Sequence, residues 1–175
     1  PASGTGNIPA FAATNTGTTS LLATIRVTPH ANGCEGPAQT FTITVKAASQ
    51  APTQITASKT ALCGDGKVDL QVNGGALGTG AVWKWYKDAC GGTSIGQGAS
   101  LQQVQVDETT TFYVRAEGDC NTTACASVTV VVNAQPVITI AAAPYTSLMP
   151  GMFTTLTATI TPQEEGLITW YRDNT

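Results

Sequence analysis

Val82-Trp83-Lys84-Trp85-Tyr86 is the stretch on which the fold turns. Its large apolar residues recur every second position, the period of a strand, so Trp83 and Trp85 point to one face. Thr111-Phe112-Tyr113-Val114-Arg115-Ala116 alternates in the same way and offers Phe112 and Val114 to a shared interior. Trp85, Phe112 and Val114 are therefore expected in a core, and Lys84, Tyr86, Tyr113 and Arg115 on the opposite face. That outward set is a candidate binding face, an aromatic and basic patch able to stack on a sugar ring or dock a partner. Cross-strand pairing on a solvated surface is its plainer reading.

Working outward, alternation recurs along the whole chain and helical periodicity is almost absent. Leu21-Leu22-Ala23-Thr24-Ile25-Arg26-Val27, Phe41-Thr42-Ile43-Thr44-Val45, Val68-Asp69-Leu70-Gln71-Val72, Leu101-Gln102-Gln103-Val104-Gln105-Val106 and Ser127-Val128-Thr129-Val130-Val131-Val132 all read as strands. Turn formers separate them, among them Asn32-Gly33, Asn73-Gly74-Gly75 and Cys90-Gly91-Gly92. Short strands at this spacing predict an all-β chain built as an antiparallel sandwich.

A repeat sets the unit length. Trp85-Tyr86-Lys87-Asp88 returns as Trp170-Tyr171-Arg172-Asp173, which predicts Trp170 as a second core tryptophan. Val68, Leu70 and Val72 are echoed by Leu156, Ala158 and Ile160, and Val45-Lys46-Ala47 by Val132-Asn133-Ala134. The unit is about 85 residues, the size of an immunoglobulin-like domain. Residues 51–133 are expected to form one complete sandwich, residues 1–48 the last part of a preceding module and residues 134–175 the first part of a following one. Half a sandwich leaves an apolar face and open strand edges. Two completions are open: more repeats in a longer chain, or exchange of halves between neighbouring chains to make a filament.

Composition narrows the function classes. Among 175 residues, 8 Lys and Arg face 11 Asp and Glu, a net charge of -3, which excludes the basic face a nucleic-acid partner requires. Charged residues are only 11%, so the polar surface must come from groups such as the 30 threonines, which also suit pleated sheets. No apolar run approaches the roughly 20 residues of a membrane span. Pro1-Ala2-Ser3-Gly4 lacks a basic and apolar start, so a mature or excised extracellular segment is expected.

Four of the five cysteines, Cys63, Cys90, Cys120 and Cys125, lie within one unit, which reads as a disulfide framework formed in an oxidising compartment. Chain direction puts Cys63 and Cys90 at one end of the sandwich, with Cys120 and Cys125 flanking the last hairpin at the other. That predicts bridges Cys63–Cys90 and Cys120–Cys125. An inter-sheet Cys63–Cys120 bridge is the alternative. Cys34 is left unpaired, or its partner is missing.

Catalytic groups are sparse. His30 is the one histidine and lies in a turn-rich stretch. Glu164-Glu165 are adjacent and point apart on an extended chain, poor geometry for paired acid–base work. Gly64-Asp65-Gly66 lacks the acidic series of a calcium loop. Asn121-Thr122-Thr123 is a glycosylation triplet that reads as turn chemistry. No enzyme activity, metal or cofactor is expected.

The set running from Leu62-Cys63 through Trp83-Lys84-Trp85-Tyr86, Cys90-Gly91-Gly92, Ile95-Gly96-Gln97-Gly98 and Thr109-Thr110-Thr111-Phe112-Tyr113-Val114-Arg115-Ala116-Glu117-Gly118 to Cys120-Asn121-Thr122-Thr123-Ala124-Cys125 resembles the Ig-like modules of large Bacteroidota surface and secreted proteins. Thr28-Pro29-His30-Ala31-Asn32-Gly33-Cys34 with Phe41-Thr42-Ile43-Thr44-Val45 resembles the end of a PKD-like module from the same proteins. Residues 134–175 are less similar and have no cysteine matching Cys63. The resemblance implies extracellular display, commonly through type 9 secretion, in adhesins, gliding-associated filaments or multidomain enzymes, and it implies no catalytic residue. The expected role is a structural or adhesive stalk or spacer whose partners are neighbouring Ig-like domains of the same chain. Surface polysaccharide, other cells and self-association are further partners to test. The alternatives are a sugar-binding accessory module of a polysaccharide-degrading enzyme, using Trp83, Tyr86 or Tyr113, and a self-assembling filament. Open aromatics would favour sugar binding, and buried Trp83 and Trp85 the spacer.

Overall fold

The computed structural model describes residues 6–162 and 168–171. Glu164, Glu165, Arg172 and Asp173 lie outside the described residues. Those described form strands and loops, with no helix among them.

The opening strands β1 (Leu21–Val27) and β4 (Gln39–Val45) pair antiparallel from Leu21↔Val45 to Val27↔Gln39. Between them β2 (His30–Ala31) and β3 (Cys34–Glu35) form a small hairpin. Its two turn residues, Asn32 and Gly33, have φ of 53° and 79°. A two-residue hairpin turn with this handedness needs left-handed backbone at both positions, which Asn-Gly supplies at least cost.

The next eight strands build the sandwich. They are β5 (Gln54–Ala57), β6 (Ala61–Cys63), β7 (Gly66–Asn73), β8 (Val82–Lys87), β9 (Thr93–Gln97), β10 (Ser100–Val106), β11 (Thr110–Glu117) and β12 (Ala126–Asn133). One sheet runs β10-β7-β5 and the other β6-β12-β11-β8-β9. All pairs are antiparallel except β6 with β12, where Leu62 meets Val132 in parallel. The chain leaves β5, which pairs with β7, and crosses to the other sheet as β6, so one edge segment serves both layers. A bulge between Leu101 and Val104 bends β10, with Gln103 at φ 55°. Asp69 of β7 satisfies the displaced backbone by accepting from the Gln103 amide at 2.8 Å.

Alternation decides what fills the interior. Along β11, Thr110, Phe112, Val114 and Ala116 are buried while the residues between them are partly open. Val68 and Leu70 of β7 face them from the other sheet, and Trp83 and Trp85 of β8 lie beside them in the same sheet, opposite Ala116 and Val114 in the ladder. Trp85 is fully buried and Trp83 only 7% exposed. The Trp85 indole Nε1 donates to the Gly98 carbonyl at 2.8 Å, so its polar atom is not stranded in the core. Truncating a side chain of this kind costs about 3–5 kcal/mol.

Beyond the sandwich, β13 (Val137–Ala143) and β14 (Thr155–Thr161) pair antiparallel. Trp170, expected in a core, is 51% exposed. The reason is geometric: β13 and β14 form a two-stranded sheet, and no second sheet covers it among the described residues. A tryptophan becomes a core residue only where a facing layer exists.

Candidate functional site

Three features concentrate polar chemistry on the sandwich: an ion cluster on the outer face of the five-stranded sheet, a disulfide beside it, and the joint by which the preceding segment is held.

The cluster follows from register. Lys84 lies opposite Arg115 and Tyr86 opposite Tyr113, so all four share a face, as alternation predicts. Glu117 belongs with them, two residues beyond Arg115 on β11. Its carboxylate accepts from the Tyr86 hydroxyl and from Arg115 Nε at 2.8 Å, with Arg115 Nη2 at 2.6 Å and Lys84 Nζ at 3.4 Å. The guanidinium lies 5.2 Å from the Tyr86 ring centroid and the Lys84 ammonium 5.9 Å from it. Tyr86 is consequently only 3% exposed.

The hydrogen bond from Tyr86, reinforced by Arg115, holds the Glu117 carboxyl down to about 2. Burial, followed by the hydrogen bond to Glu117, pushes the Tyr86 hydroxyl above its ordinary range. Glu117 likewise raises Arg115.

The register gives Lys84, Tyr86, Tyr113 and Arg115 the shared outer face expected of them, with Tyr86 alone of the four buried. Glu117 draws both cations over the Tyr86 ring and closes its surface to stacking. Same-face spacing of two residues from Arg115 was the signal that identifies Glu117 in the sequence.

The disulfide joins Cys90 to Cys125, with Cα atoms 6.1 Å apart. Both expected bridges, Cys63–Cys90 and Cys120–Cys125, are overturned, as is the alternative Cys63–Cys120. Cys34, Cys63 and Cys120 are free and exposed. Chain direction places a loop at one end only if the loop continues outward, and the loop after β8 does not. Left-handed backbone at Asp88 and Gly91, φ 66° and 80°, turns it back over the sheet. A Cβ on Gly91 would come within 2.9 Å of the Arg115 guanidinium, so that loop is pressed onto the cluster. Cys90 thus arrives where Arg115 Nη1 lies 3.9 Å from its sulfur, and Cys125 enters β12 just before Ala126, the partner of Val114. Cys63 pairs with Asn133 at the far end of β12, a strand length from the hairpin carrying Cys120.

The joint lies at residues 46–50. Ala47 is fully buried, and its backbone exchanges hydrogen bonds with Thr79: Ala47 N–H to Thr79 Oγ1 and Thr79 N–H to the Ala47 carbonyl, both at 3.1 Å. Ser49 N–H donates to Asn121 Oδ1 at 2.8 Å, and Asn121 Nδ2 donates back to the Ser49 carbonyl at 2.9 Å. The Asn121 side chain thus imitates a neighbouring strand. This is the asparagine of the glycosylation triplet, and both ends of its amide are engaged. Gly78 donates to Ser49 Oγ at 2.9 Å, and a Cβ there would collide with the Ala47 carbonyl. Ser20 and Thr79 hydroxyls meet at 2.8 Å, and exposed Lys46 and Asp119 pair at 3.3 Å. Only the spacing of the linker was legible beforehand; its seat on residues far away in sequence was not.

His30 is exposed on β2. Among the described residues no three His, Cys, Asp or Glu side chains are grouped to hold a metal ion, and no helix is long and apolar enough to cross a membrane.

No curated protein matches the chain. The family model described as "Ig-like domain CHU_C associated" matches residues 49–136, the span of the eight-stranded sandwich and the last residues of the joint. On that match over half its length, the chain belongs to the CHU_C-associated Ig-like domain family.

Proposed function

We propose that the chain is a non-catalytic spacer segment of a large extracellular bacterial surface protein, holding neighbouring Ig-like modules of one long chain at a set separation. Family membership supplies the coarser part, a structural or adhesive module in an extracellular setting. The finer reading rests on the joint. Buried Ala47 and the reciprocal Ser49–Asn121 pairing join the preceding strands to the sandwich through backbone-like hydrogen bonds rather than a free linker. A spacer transmits position only if its joints are stiff, and pinned backbone supplies that stiffness. Burial of Trp83, Trp85 and Tyr86 weighs against the sugar-binding alternative, because stacking on a sugar ring needs an open aromatic face.

Cells producing the full-length protein test this reading by limited surface proteolysis. Release of a fragment containing residues 51–133 from intact cells, together with no retention on a panel of surface polysaccharides, is expected. A fragment protected until the cells are lysed would refute display, and selective polysaccharide retention would restore the sugar-binding reading. The filament reading draws on exposed Leu22, Phe41, Ile140 and Tyr171 outside the sandwich. Electron microscopy of concentrated chain tests it, and isolated particles would count against it.

A further inference from the structure

The two strand pairs outside the sandwich each carry a bare apolar face. On β1 and β4, Leu21, Ile25, Phe41, Ile43 and Val45 alternate to one side, and Thr24, Thr42 and Thr44 to the other. Leu21 and Phe41 are more than half exposed. Residues 11–14 approach this face but leave an open cleft of about 480 Å³ against Leu21, Ala23, Ile25 and Ile43. On β13 and β14, Ile138, Ile140, Leu156, Ala158 and Ile160 share one side, and Thr139, Thr157 and Thr159 the other. Neither apolar side carries a charged residue.

The complete sandwich shows what covers such faces. There Phe112, Val114 and Val130 of β11 and β12 pack onto Ile55, Val68 and Leu70 of β5 and β7, and all six are buried. The repeat assigns the bare pairs to opposite layers. Val45-Lys46-Ala47 at the end of β4 echoes Val132-Asn133-Ala134 at the end of β12, whereas Leu156, Ala158 and Ile160 of β14 echo Val68, Leu70 and Val72 of β7. Register agrees, since Ile138 stands opposite Ile160 as Ile55 stands opposite Val72. The β1–β4 pair is thus a β11–β12 layer lacking its cover, and β13–β14 is a cover lacking its layer. The two hang from opposite ends of the sandwich: Ser49 of the preceding segment is held by Asn121, ahead of β12, and β13 follows Asn133 at the end of β12. Eight residues of strand separate those ends by about 26 Å, so one copy does not cover its own face.

We infer that the β13–β14 face of one copy seats on the β1–β4 face of a second copy, completing between chains the packing that the central sandwich makes within one. Burial of the two apolar faces drives the contact and leaves the threonine sides in water. The contact is heterologous, so each added copy again offers one free face of each kind, and an open line of copies follows. This goes beyond the spacer reading, in which one chain connects the modules, and does not depend on it. It supplies the filament reading with its two mating faces.

The test uses the 175-residue chain carrying C34S, C63S and C120S, so that no free thiol links copies. Into this parent, Ile43→Asp places a charge on the β1–β4 face and Ile140→Asp one on the β13–β14 face. Tryptophan fluorescence checks that the central sandwich stays folded in both. In sedimentation velocity the parent should grow into larger species as its concentration rises, and each variant alone should stay monomeric. An equimolar mixture of the variants should reach twice the monomer mass and stop there, because one intact pair of mating faces remains, β13–β14 of I43D and β1–β4 of I140D. A monomeric mixture would overturn the inference and leave the spacer reading in place. Self-association of either variant alone would overturn it too, since that marks like-on-like or unspecific contact. Amide exchange of the parent gives a reading free of the aspartates: β1, β4, β13 and β14 should slow together by about threefold or more from dilute to concentrated protein, with β8 and β11 unchanged. Slowing in one strand pair alone, or in neither, would overturn the pairing.

Discussion

Replacing Glu117 by glutamine keeps the shape of the side chain and removes its charge. Glu117 ionises at about 2 instead of the ordinary 4.5, first because Tyr86 donates to it and next because Arg115 does. A difference of that size corresponds to about 3 kcal/mol of preference for the ionised form in the fold. The side chain is 24% exposed, and solvent screening leaves on the order of 2 kcal/mol. The glutamine carbonyl can still accept from Tyr86, so the variant should lose about 1.5 kcal/mol at pH 7. For a sandwich of about 85 residues that lowers Tm by roughly 6–12 °C.

The pH dependence has a definite sign. A carboxylate whose folded pKa is depressed stabilises fully above its unfolded value and loses that stabilisation as pH falls toward the folded value. The gap between wild type and E117Q should thus be constant from pH 7 to about 5 and close between 4.5 and 2. Urea titrations followed by tryptophan fluorescence measure it, since buried Trp83 and Trp85 report on the sandwich. A gap below 0.5 kcal/mol at pH 7, or one that persists undiminished at pH 2, would refute the assignment of Glu117 as the charge holding this face closed.

Trp85→Ala should destabilise the sandwich by about 3–5 kcal/mol in the same titrations, because it empties a fully buried site and leaves the Gly98 carbonyl unpaired. Cys90→Ser opens a closed loop of 35 residues, and the loop-entropy relation gives a loss of about 4 kcal/mol, read as a lower urea midpoint. Asn121→Ala removes both hydrogen bonds to Ser49 and should cost about 1–2 kcal/mol, with Ser49 amide exchange accelerating before global unfolding. Gly78→Ala should loosen the same joint by driving a methyl group into the Ala47 carbonyl, seen as a wider distance distribution between labels on β4 and β12.

The all-β class, the two-residue alternation of β8 and β11, and the burial of Trp85, Phe112 and Val114 were legible in the sequence, because side-chain period is a local property of the chain. The shared face of Lys84, Tyr86, Tyr113 and Arg115 was legible for the same reason. Whether that face is open was not, since it depends on where Glu117 reaches and on a loop folding back over Arg115. The cysteines mark the same boundary. Their number pointed to a bridge, but pairing is a distance in space, and left-handed backbone at Asp88 and Gly91 moved Cys90 away from Cys63 and onto Cys125. Trp170 repeats the motif of Trp85 and yet stands half exposed, because a motif specifies which way a side chain points and only a second layer decides whether anything covers it.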